Sequence, residues 1–93
     1  MTKKGDYLVN MRALFDMLLF HEKDVVEVHK LLGRMFKCIR YRRDLAKAET
    51  PESESLARWG IDDADRDLSE LMCAWCLSEF EKKVIRDLVK ATA

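Results

Sequence analysis

An all-α fold is predicted for this chain by three features of its sequence. Tyr7, Met11, Leu14, Leu18, His21, Val25, Val28, Leu32, Met35 and Ile39 follow an unbroken 4-3-4-3 spacing, which is the period of a helix face and not of a strand. A second apolar series, from Ile61 to Leu88, has the same period. Turn chemistry is scarce, with 3 Gly and 1 Pro in 93 residues, whereas sheets need turn signals every few residues. The expected architecture is a single all-helical domain over residues 1–93. It is a bundle of three main helices, about 6–20, 24–48 and 62–90, with a short additional helix at 51–59. A hydrophobic share of 48% beside 37% charged residues excludes wholesale disorder.

The first stripe is flanked by Leu8, Phe15 and Phe36 on one side and by Met17, Leu31 and Cys38 on the other. That face is wider than a two-stranded coiled-coil seam and suits a bundle helix. His21-Glu22-Lys23-Asp24 interrupts it with a full turn lacking any aliphatic residue, and Asp24 followed by Glu27 has the form of a capping box. A helical hairpin is therefore expected. The alternative, one continuous helix, would extend roughly 64 Å at 1.5 Å per residue and need a partner along its length.

Thr50-Pro51 is a helix start, with Pro at the first helical position and Glu52 and Glu54 in the first turn. Gly60 is expected to end this short helix, with Trp59 either a lid packed on the core or an exposed anchor. In the last element, Ile61, Ala64, Leu68, Leu71 and Trp75 form one stripe. Cys73, Leu77, Phe80, Val84 and Leu88 form a second, rotated one. They overlap at residues 71–77, apolar on every side, which points to the centre of the core.

Charge is neutral overall yet segregated. Residues 1–47 carry 11 Lys/Arg against 6 Asp/Glu, and residues 48–93 carry 6 against 11, so net charges of +5 and −5 cancel. Such a layout invites pairing within the chain, between two copies, or with a charged partner. The basic candidates are Lys30, Arg34, Lys37, Arg40, Tyr41 and Arg43, most of which fall with Lys47 opposite the first stripe. The acidic candidates are Glu52, Glu54, Asp62, Asp63 and Asp65. A homodimer is expected, because a chain of this size cannot easily surround a helix apolar all round, and an isologous pairing sets one charged surface against the other.

No chemical motif survives inspection. Cys73 and Cys76 have CxxC spacing but lie mid-helix in an apolar setting, unlike a redox pair at a helix N-terminus, so they are expected as buried core residues. Zinc needs four ligands, and Cys38, His21 and His29 complete no recognisable spacing. Asp63, Asp65 and Asp67 begin like a calcium loop, but Leu68 and Ala74 stand where that loop needs Gly and Glu. His21 and His29 fit no triad order, and the few glycines offer little backbone for a phosphate cradle. Neither enzyme activity nor a cofactor or metal is expected.

Lys3 and Lys4 precede an apolar stretch, but Arg12 and Asp16 interrupt it and no cleavage site follows. With no membrane-length apolar run and an odd cysteine count, a cytoplasmic protein with reduced thiols is expected. The expected function is regulation of a larger protein partner through charged helix faces, as an adaptor, chaperone or inhibitor. The second expectation is a nucleic-acid-binding regulator using helix 30–47, whose basic face would track phosphates.

Overall fold

A computed structural model describes residues 3–93, with side chains described from Asn10 onward. Tyr7 and Leu8, assigned above to the first stripe and its edge, lie outside the described side chains. Four helices are present: α1 (Lys3–Phe20), α2 (Val25–Lys47), α3 (Pro51–Ala74) and α4 (Glu79–Thr92). There are no strands among the described residues, as expected.

The break between α1 and α2 is the hairpin the sequence foreshadowed. Asp24 caps α2, its carboxylate accepting from the Glu27 N–H at 2.9 Å. The end of α1 is less conventional. The Lys23 N–H donates to the Leu18 carbonyl and the Glu22 N–H to Leu19, both at 3.1 Å, which is a Schellman ending. Its left-handed position is filled by Glu22, at φ 54°, where glycine is usual.

The same device ends α3, and here the expected boundaries fail. The short helix 51–59 and the start of the expected 62–90 helix are one helix, α3, which runs through Gly60 without stopping. It starts where the sequence places it, with Pro51 in the first turn and a reciprocal capping box between Thr50 and Ser53. It stops at Ala74: the Leu77 N–H donates to Met72, the Cys76 N–H donates to Cys73, and Cys76 sits at φ 57°. Ser78 then caps α4 in a second capping box, with Glu81 as its reciprocal partner. The Ser-x-x-Glu signature was legible in the sequence, and the rotation between the two apolar stripes marks the same break.

Residues 71–77 are accordingly a helix end and turn, not the core centre. Met72 and Leu77 are buried, but Cys73, Ala74 and Cys76 are exposed, which corrects the expectation of two buried thiols. The core instead lies where the helices converge, with Leu31, Cys38, Met72, Ile85 and Leu88 almost wholly enclosed.

The helices associate in two antiparallel pairs. α2 lies along α3, α1 lies along α4, and α4 also touches α2. The segregated charges meet along the first pair. Arg42 of α2 donates two hydrogen bonds to the two oxygens of Asp65 on α3, each 2.9 Å, and Lys37 stands 3.7 and 3.6 Å from Asp63 and Asp67. Two features that pointed to a homodimer thus have another place within one chain: the apolar run 71–77 is a helix end and turn, and Lys37 and Arg42 meet acidic residues of the neighbouring helix.

At one end of the molecule the two Schellman turns face each other. His21 Nε2 lies 2.7 Å from a Glu81 carboxylate oxygen, and the Lys23 ammonium sits 4.3 Å from the centroid of the Trp75 ring. Hydrogen bonding from the Ser78 backbone, opposed by burial and helped by His21, holds the Glu81 carboxyl below the usual carboxylate range.

Candidate functional site: an apolar cleft between the first two helices

α1 and α2 are joined by a tight turn but each packs mainly on a different neighbour, so a cleft opens between them. Its walls are Leu14, Phe15 and Leu18 of α1 and Leu32, Met35, Phe36 and Ile39 of α2, and Leu88 of α4 contributes to its floor. The enclosed volume is about 270 Å³. Phe15 and Phe36 face each other across this space with 57% and 61% of their surface exposed. Leu19, one turn beyond Phe15, is 76% exposed. These large apolar side chains form a contiguous exposed patch, the kind of surface on which binding can occur.

Among the described residues, cations follow one edge of α2 beside Phe36. On α2, His29, Phe36, Arg40, Arg43 and Lys47 are spaced 7, 4, 3 and 4 residues apart and so share one edge of the helix, with no carboxylate among them. Arg12 lies on the exposed side of α1 beside Phe15 and Leu19. Arg43 donates to the Thr92 carbonyl at 2.8 Å, which ties this edge to the C-terminal end of α4. Arg12, Arg40, Arg43 and Lys47 have no carboxylate partner among the described residues.

The basic residues singled out from sequence therefore divide. Arg40 and Arg43 stand on that cationic edge of α2. Lys30 is exposed on another side of α2. Arg34 is half-buried, with one guanidinium nitrogen 3.5 Å from the Lys30 carbonyl and its buried Nε unpartnered. Lys37 is engaged by Asp63 and Asp67, and the Tyr41 ring packs against Gly60 on α3. The expectation that these residues lie opposite the core is thus corrected for Lys37 and Tyr41, which meet α3 instead.

Among the acidic candidates, Asp65 and Asp63 pair with α2, and Glu54 pairs with Arg58 one turn along its own helix at 3.1 Å. Glu52 and Asp62 remain exposed. Trp59 is 64% exposed, so the lid reading is corrected, and Leu56 beside it on α3 is exposed as well. The sequence reading missed the cleft because Phe15 and Phe36 look like ordinary stripe-edge residues. Their distance from the stripe centre was the available signal.

Among the described residues, no group of three or more His, Cys, Asp or Glu side chains is placed to hold a metal ion. No described helix is long and apolar enough to cross a membrane. Neither a family model, nor a curated protein, nor a solved structure matches the chain.

Proposed function

We propose that this protein is a non-enzymatic binding module that takes one amphipathic helix of a larger protein partner into the α1–α2 cleft. The observation that carries this reading is the pair of exposed phenylalanines, Phe15 of α1 and Phe36 of α2, lining one apolar cleft beside the cationic edge of α2. Helix-in-groove recognition uses apolar anchors at i, i+3, i+4 and i+7, and aromatic contacts at the centre supply most of the binding energy. The cations select the occupant: Arg12, Arg40, Arg43 and Lys47 suit a helix whose apolar stripe is bordered by Asp and Glu, and they disfavour a basic one. A partner helix of this kind needs no catalytic group in the cleft, and regulation follows from occupying that helix.

The test replaces Phe36 with a photo-crosslinking aromatic residue and captures partners from the native cell extract, with and without nuclease. The expected result is one crosslinked protein, unaffected by nuclease and lost in a Phe15→Ala/Arg40→Glu background, with the crosslink mapped to an acid-bordered apolar helix. A crosslink to a second copy of this chain would replace the reading with a homodimer. Recovery abolished by nuclease would replace it with nucleic-acid binding along the basic edge of α2.

A further inference from the structure

A second cavity, on a different side of the molecule from the cleft, has a chemistry of its own. It lies between α3 and α4, has a volume of about 370 Å³, and is lined by Arg42, Asp65, Ser69, Arg86 and Lys90 together with Leu68 and Val89. The positions follow from helix periodicity: Asp65, Leu68 and Ser69 share one face of α3, and Arg86, Val89 and Lys90 share one face of α4. Three cations and one carboxylate line this space. The carboxylate is already committed, because both oxygens of Asp65 accept from Arg42. Arg86 and Lys90 have no carboxylate within ion-pair distance among the described residues, although the charge of Arg86 acts on Asp65 from further away. The Ser69 hydroxyl has no hydrogen-bond partner among the described side chains.

The cavity therefore presents a guanidinium, an ammonium and a hydroxyl, opposite a fourth group, Arg42, that Asp65 holds in place. Guanidinium and ammonium groups converging on one site match the oxygens of a dianionic phosphate group, and an arginine supplies the planar, two-pronged contact. The size argues further. A cavity in the range of small-ligand sites is much larger than one phosphate ion, and Leu68 and Val89 give part of it an apolar wall. We propose that this cavity binds a small phosphate monoester, with Arg86, Lys90 and Ser69 holding the phosphate and Leu68 and Val89 receiving its organic part.

The test is a titration of isotopically labelled protein, followed by amide NMR, with inorganic phosphate and with phenyl phosphate at constant ionic strength. The proposal expects saturable shifts centred on Ser69, Arg86 and Lys90, with phenyl phosphate binding at least tenfold more tightly than phosphate. Arg86 and Lys90 are exposed, so an Arg86→Ser/Lys90→Ser variant keeps its fold and is expected to lose at least tenfold in affinity for phenyl phosphate. Lys83→Ser, which removes an exposed cation paired with Asp87, is expected to leave it unchanged. Equal affinity for the two probes overturns the ester and leaves an anion site. Shifts that fail to saturate, that spread over Arg12, Arg40 and Arg43, or that survive the double variant overturn the site itself.

Discussion

The ring of Tyr41 on α2 occupies the space that a side chain at Gly60 on α3 would need, so the two helices touch at ring-to-backbone distance. Gly33, on the solvent side of α2, has nothing around its missing Cβ. The two glycines predict opposite responses to alanine. Gly60→Ala gains helix propensity but drives a methyl group into a packed ring, and a net loss of about 1–3 kcal/mol is expected. Gly33→Ala meets no obstacle and is expected to stabilise by about 0.5–1 kcal/mol. Urea denaturation of both variants checks this, and a stabilised Gly60→Ala would show that the α2–α3 approach is looser than described.

Glu22 and Cys76 hold left-handed backbone conformations that cost an L-residue free energy and a glycine nothing. Glu22→Gly and Cys76→Gly are each expected to stabilise the fold by about 0.5–1 kcal/mol after the added freedom of the unfolded chain is counted. Cys76→Val is expected to destabilise by more than Cys76→Ala, because a β-branched side chain tolerates that region worst. Thermal melts of the four variants decide the matter through the order of their midpoints.

The Arg42–Asp65 pair predicts the acid limb of the stability curve. Burial pushes the Asp65 carboxyl up, but hydrogen bonds and charge from Arg42, with smaller help from Cys38 and Arg86, leave it below the usual carboxylate range. A folded value below the unfolded one contributes stability above the unfolded value, about pH 4, and that contribution disappears as pH falls through the folded value. Because Asp65 is 43% exposed, solvent screens the pair, and Asp65→Asn is expected to cost only about 1 kcal/mol near neutrality. The gap between wild type and variant should narrow as pH falls below the unfolded value, about pH 4, and through the lower folded one. Midpoints that stay parallel throughout the acid limb would remove the pair from the acid response.

Thiol chemistry separates the three cysteines. Burial, followed by the hydrogen bond and charge of Asp65, pushes the Cys38 thiol up to about 11, and no part of its side chain is open to solvent. Cys73 and Cys76 are exposed. Iodoacetamide at mildly alkaline pH is expected to add two groups rapidly to the native protein and the third only after unfolding, as read by mass spectrometry. A third adduct at the same rate would mean that Cys38 is reached without opening the core.

The helices themselves were legible because their causes are local. The Asp24-to-Glu27 and Thr50-Pro51 starts act over three or four residues and can be read directly. The stops were not, because Glu22 and Cys76 carry out by tertiary support what glycine does by intrinsic freedom, and no residue type announces that. Gly60 misled for the complementary reason: it serves contact with Tyr41, a residue 19 positions away, rather than a turn. The cleft is of the same kind. Phe15 and Phe36 were visible as stripe-edge residues, but only the pairing of α1 with α4 and of α2 with α3 leaves them facing one another in water.

That pairing also separates contacts that are close along the chain from contacts that are distant along it. α2 and α3 are joined by three residues and carry mutual ion pairs, so their contacts are close along the chain as well as in space. α1 instead meets its main neighbour, α4, across the whole length of the α2–α3 pair. Any species in which α4 has come away from the rest bares the apolar side of α1, and exposed surface of that kind is where aggregation begins.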